Sequence, residues 1–183
     1  MTDNLKTYVV LLRGVMPTGK NRVPMAQLRE VLTNAGFLNV RTYIQSGNAL
    51  LDTHLPANEV EKQVYELIKK HIGADLAVMV RTGEQLQQVL KDNPFTNENI
   101  SRVFFVLFAE PPPPQIAREL MAEDFGDEKL VITETAGYMY IPGNAARSKI
   151  SNVKHWKKLG VAATTRNFNT LNKLVELSSA NEG

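Results

Sequence analysis

The stretch "VRTYIQSGNALLDT", residues 40–53, decides how this chain is built. Val40, Thr42 and Ile44 alternate with Arg41, Tyr43 and Gln45, the period of a strand with one buried face. Ser46, Gly47 and Asn48 supply turn residues, and Ala49 to Thr53 continues as a second strand, so the stretch reads as a hairpin. Upstream, Tyr8 to Leu12 is a continuous apolar strand. Pro24 to Ala35 then sets Met25, Leu28, Val31, Leu32 and Ala35 on one helical stripe, with Pro24 suited to the first helical position. Downstream, Val60, Val64, Leu67 and Ile68 mark a helix ending near Gly73, and Leu76 to Val80 is a strand. The order is β-α-β-β-α-β, the ferredoxin-like split unit.

The second half reads as a looser copy. A helix carrying Leu86, Val89 and Leu90 leads to the apolar strand Val103 to Phe108, then to a helix with Ile116, Leu120 and Met121. Leu130 to Thr133 and Tyr138 to Ile141 form a hairpin across Thr135-Ala136-Gly137, and helices follow near 150–159 and 171–177. The fold class expected is α+β, with two ferredoxin-like units packed together, residues 1–82 and 83–183, the second less complete. Tyr8 to Leu12 and Val103 to Phe108 are apolar at every position, so both faces of those strands should be covered. The run Pro111 to Pro114 is suited to ending a strand and starting a helix with a pre-set φ.

At 183 residues the chain is long enough to bury a substantial core, and its 43% hydrophobic and 22% charged content is that of a folded protein. It has no cysteine, hence no disulfide framework and no thiolate metal site, which fits a reducing compartment. The longest early apolar run stops at Arg13, too short for a signal-peptide core or a membrane span. A cytoplasmic protein without membrane contact is expected. Net charge is only +2 but unevenly spread. Arg13 to Leu51 holds five basic residues and one acid, Ala136 to Val175 seven basic residues and none, and the segment between is acidic. Two acid-poor stretches brought to one face would attract anions.

Gly14 and Gly19-Lys20 stand at the spacing of a phosphate-binding P-loop, but Asn21 replaces the hydroxyl that would hold Mg²⁺. Val23-Pro24 also delays the following helix by about four residues, so its N-terminal amides are not at the lysine. An ATPase is not expected. An anion site built from Arg13, Gly14, Lys20, Asn21, Arg22 and free backbone amides is. Beside it, the hairpin offers Arg41, Gln45, Ser46 and Asn48. Toward the C-terminus, Arg147, Ser148 and Lys149, and then Thr165, Arg166, Asn167 and Asn169, precede two expected helices, with Ser148 and Asn169 as N-caps. Cations at helix N-termini would grip a phosphate or carboxylate. His54, His71 and His155 are isolated, without metal-ligand spacing, and no residue set names a catalytic acid, base or cofactor.

The stretches "YVVLLRGVMPTGKNRVPMAQLREVL", "GFLNVRTYIQSGNALL", "RSKI" and "GVAATTRNFNTLNKLVEL" resemble, in order and over about residues 7–178, the bacterial family known as domain of unknown function 1697. The resemblance implies an α+β fold with ferredoxin-like units and no accepted activity. Met16 to Lys20 stands where that family usually has Asn-Val-Gly-Gly-Lys, and Phe168 where Trp is usual.

The β-α-β-β-α-β order is also that of RRM domains, which stack bases on aromatics of their first and third strands. Tyr8 is available for this, but Ala49-Leu50-Leu51 carries no aromatic residue, so only backbone-directed nucleic-acid contact is expected. The leading expectation is a binding protein for a phosphorylated or nucleic-acid ligand, held in one basic cleft between the units. An enzyme acting on a small anionic metabolite there is the alternative.

Overall fold

The structure, a computed structural model, describes residues 4–179. The first half forms β1 (Lys6–Leu12), α1 (Met25–Asn34), β2 (Leu38–Thr42), β3 (Asn48–Thr53), α2 (Ala57–His71) and β4 (Val78–Thr82). These four strands make one antiparallel sheet in the order β2-β3-β1-β4, with Val9 opposite Leu50 on one side and Arg81 on the other. The pleat sends Tyr8, Val10 and Leu12 to one face, where they pack with Ala49 and Leu51 against Leu28 and Leu32 of α1 and Val60, Val64 and Ile68 of α2. Val9, Leu11, Leu50 and Met79, on the opposite face, are buried as completely. That is why Tyr8 to Leu12 is apolar at every position. Helix α2 carries Glu59 in its first turn and Lys69, Lys70 and His71 in its last, each complementing the helix dipole. It stops at Gly73, whose φ of +86° lets its N–H return to the Ile68 carbonyl.

The second half repeats the plan with α3 (Gly83–Lys91), β5 (Val103–Phe108), α4 (Pro114–Met121), β6 (Lys129–Ile132), β7 (Ala136–Tyr140), α5 (Val153–Lys157), β8 (Ala163–Asn167) and α6 (Phe168–Ser179). Its sheet order is β6-β7-β5-β8, again antiparallel throughout. Val106, Phe108 and Met139 pack on Ala117 and Leu120 of α4 and on Trp156 of α5. On the other face the Phe105 and Tyr138 rings meet edge-on with centroids 5.8 Å apart. Pro113 caps α4 and Pro114 opens it, so the proline run ends one element and starts the next.

Three sequence expectations need correction. Strand β2 stops at Thr42, so the alternation does not run on through Ile44, which sits in the turn at φ +49° with its side chain exposed rather than on a buried strand face. The segment 163–167 is a strand, so the second sheet is complete. It escapes pattern reading because an edge strand needs no apolar run: of Ala163-Thr-Thr-Arg-Asn only Thr164 is fully buried. Ala136 and Gly137 belong to β7 rather than to the turn before it. A Cβ at Gly137 would lie 3.2 Å from both Phe108 and Val106, so the glycine is there for close packing.

The chain divides into two compact units, one running to Leu86 and resuming at Lys173, the other Gln87–Asn172. Helices α3 and α6 therefore each begin in one unit and end in the other. The strand-to-helix junctions that launch them match residue for residue. Arg81 Nη1 donates to the Val80 carbonyl at 2.9 Å, and Arg166 Nη1 to the Thr165 carbonyl at 3.0 Å. One residue on, Thr82 Oγ1 accepts from the Gln85 N–H, and Asn167 Oδ1 from the Thr170 N–H. Leu86 and Leu171 then follow, both buried. Sheets and junctions alike read as two copies of one β-α-β-β-α-β-α plan.

Candidate functional site

In the first unit, two loops meet at the end of the sheet where β1 ends and β3 begins. The longer, residues 13–24, is held by its own backbone: Arg13 N–H donates to Ala77, Met16 N–H to Asn21 and Arg22 N–H to Gly19. The shorter, residues 43–47, is pressed against it. Leu12 N–H donates to the Gly47 carbonyl at 2.9 Å, and a Cβ on Gly47 (φ +90°) would fall 2.7 Å from Val15 Cγ2 and 2.9 Å from Leu12 Cβ. Gln45 Nε2 completes the brace by donating to the Val23 carbonyl at 2.9 Å. Buried Asn48 locks the shorter loop, donating to the Tyr43 carbonyl and to Ser46 Oγ.

On this framework Arg13, Gly14, Lys20 and Arg22 are exposed and Asn21 is half-buried. Among the described residues the side chains of Arg13, Lys20 and Arg22 enter no ion pair and no hydrogen bond. Helix α1 starts at Met25 with Pro24 as its N-cap rather than its first helical residue, and Val23 before it is buried in the core. Its first amides thus lie well past Lys20, so the loop is not a P-loop in geometry either.

The other expected cations serve the framework. Arg41 Nη1 donates to the Leu177 carbonyl at 2.8 Å and its Nε to that of Asn39, with Nη2 3.9 Å from Asp52. Arg166 lies on β8 opposite Phe105, with Nη1 also 2.6 Å from Thr164 Oγ1. Burial lowers its pKa to about 10, which leaves it charged at neutral pH. Thr165 and Asn167 flank it on the same strand; Asn167, not Asn169, provides the capping oxygen at the start of α6.

Arg147 is exposed at the end of the short turn Ala145–Arg147, while Ser148, Lys149 and Ile150 hold an anion that the chain itself supplies. The Glu128 carboxylate accepts from Ser148 Oγ at 2.7 Å, Ile150 N–H at 3.0 Å and Lys149 N–H at 3.2 Å, while Ser151 N–H donates to Ser148 Oγ. Asn152, rather than Ser148, caps the helix that follows. Sequence reading missed Glu128 because acceptor and donors lie about twenty residues apart with no local pattern joining them. It missed the counterpart of Arg166, Arg81, for want of aligning "VRTGEQL" with "TRNFNTL". Among the described residues no group of three or more His, Cys, Asp or Glu is placed to hold a metal ion. No helix among them is long and apolar enough to cross a membrane.

These features define an α+β protein of two four-stranded antiparallel sheets, one of which carries at its end a braced loop whose three basic side chains have no partner among the described residues. The chain belongs to the family described as "Protein of unknown function (DUF1697)", whose pattern matches residues 5–138. That stretch includes both braced loops and stops before the 147–169 candidates. Among solved structures it is similar to the conserved bacterial protein SP0830 from Streptococcus pneumoniae, at 22% identity and a TM-score of 0.75, over 95% of this chain and 99% of that one. At that identity the likeness concerns the fold. No curated protein matches the chain.

Proposed function

We propose that the chain is a cytoplasmic binding protein for a phosphate-bearing anionic ligand, built on two ferredoxin-like units, with the 13–22 loop of the first unit as its contact surface. One observation carries the reading: Arg13, Lys20 and Arg22 are held out on a loop fixed by backbone bonds and a second loop, with no partner among the described residues. Cations positioned in advance lose little freedom on binding, so their attraction for phosphate oxygens is largely retained. Ser46 Oγ accepts from Asn48 Nδ2 and Ser148 Oγ donates to Glu128, so both of these hydroxyls already take part in the framework.

A thermal-shift screen of inorganic phosphate, nucleotides and short DNA and RNA duplexes tests the reading, run on wild type and on Arg13→Ala/Lys20→Ala/Arg22→Ala. A ligand at 100 times its Kd adds about 2.7 kcal/mol, several degrees for a chain of this size. The shift should disappear in the triple variant. For duplex DNA, three phosphate contacts give a slope of log K against log salt of about −2.7. Equal shifts in wild type and variant would refute the proposal.

A further inference from the structure

The loop that braces the cations contains a residue the fold does not favour there. Ile44 has φ +49°, in the left-handed region where a β-branched side chain crowds its own backbone. Its side chain is not repaid by burial, being 52% exposed. Asparagine or glycine would occupy the position with less strain. Met16, on the basic loop, is likewise 53% exposed. Two of the few large apolar side chains left in water thus sit on the pair of loops that Gly47 and Gln45 lock together, alongside Arg13, Lys20 and Arg22. Strain held at an exposed site points to a contact made with something else.

Building on the phosphate-binding reading, we infer that this surface engages duplex DNA, with Ile44 and Met16 as an apolar wedge and the three cations on the flanking phosphates. Aliphatic side chains inserted between base steps, with basic residues on the backbone, are the chemistry of proteins that unstack and bend a duplex. A single strand would be held instead by stacking on aromatic rings, and the aromatic residue of the shorter loop, Tyr43, is half-buried. A free phosphate or nucleotide meets the cations but gives the wedge nothing to enter. The stretch Arg13 to Arg29 has no acidic residue, so a polyanion approaches it without repulsion from the loop itself.

The test uses the full chain and an end-labelled duplex of about 20 base pairs, read by fluorescence anisotropy for affinity and by energy transfer between the ends for bending. Ile44→Asn should melt no lower than wild type, since it relieves the strained backbone, yet bind the duplex about tenfold more weakly and bend it less. Ile44→Gly is the second variant and should behave alike. The outcomes separate this inference from the reading beneath it. If both Ile44 variants bind and bend the duplex as wild type does, while the triple cation variant does not bind, the wedge is refuted and the phosphate site stands. Thermal shifts from small phosphates with no duplex binding refute it in the same way. If nothing phosphate-bearing binds, both fall.

Discussion

Gly47→Ala probes the junction on which the candidate site rests. At φ +90° any L-residue carries a conformational penalty, about 1–2 kcal/mol in the left-handed region. The new methyl also lacks room. It would lie 2.7 Å from Val15 Cγ2, a side-chain tip that can swing aside, and 2.9 Å from Leu12 Cβ, which is fixed to the buried central strand. Overpacking of this kind costs about 1–3 kcal/mol, bringing the expected loss to about 2–5 kcal/mol. At about 2–4 °C per kcal/mol for a chain this long, Tm should drop by roughly 4–20 °C. Gly19→Ala is the matched control: its φ is +85°, but nothing lies within 4 Å of the added methyl, so only the conformational share is lost. Urea and thermal unfolding of both variants give the steric share by difference, and if the two units melt separately only the transition of the first should move. Equal losses at Gly47 and Gly19 would show that the loops are not packed together and would remove the argument that the basic loop is rigid.

Two further outcomes are expected. Glu128→Ala leaves the donors of Ser148, Lys149 and Ile150 without their carboxylate and should cost about 1–3 kcal/mol, part of it restored by phosphate or sulfate entering the emptied cradle; denaturation with and without the anion measures both. The Glu98 carboxyl is held below its ordinary pKa by its hydrogen bond from the Lys129 ammonium. A depressed carboxylate adds stability above its unfolded value of about 4.3 and loses it as pH falls through the native value, so Glu98→Gln should lower Tm slightly at neutral pH, meet the wild-type value at low pH and thereby flatten the acid limb of a Tm against pH curve.

What could be read from the sequence follows burial geometry. The stripes of α1 and α2 and the uniform apolarity of Tyr8 to Leu12 were legible because each is a local pattern imposed by one or two buried faces, whereas the alternation at residues 40–45 misplaced Ile44, which lies exposed in the turn after β2. Strand β8 was not, since its only fully buried residue is Thr164 and its neighbours are polar at the sheet edge. The basic residues were visible, but which of them the fold would consume was not. One partner of Arg41 is a carbonyl 136 positions away, and the cradle at Ser148 is filled by a carboxylate twenty positions back. A charge count records the cations of a chain and nothing of how its carbonyls and carboxylates return to meet them.

The internal copy gives a way to sort the cations that remain. A residue that recurs in both halves at the same register, with the same bond to the backbone, is explained by what the halves share, which is the fold. Arg166 meets that description: Arg81 stands at the same register on the other sheet's edge strand, donates to the same preceding carbonyl and is followed by the same capping contact. Its place in a ligand site therefore needs support beyond its charge. The 13–24 loop has no such twin. Where the first copy leaves β1 through twelve residues carrying three exposed cations, the second leaves β5 through Ala109-Glu110 and straight into the proline run that starts α4. Nothing in the shared plan requires a long basic loop after the first strand, because the second copy makes the same turn from strand to helix without one. The feature that breaks the repeat is the same one whose cations lack a partner among the described residues and that exposes Met16, which is why the search for a ligand belongs there first.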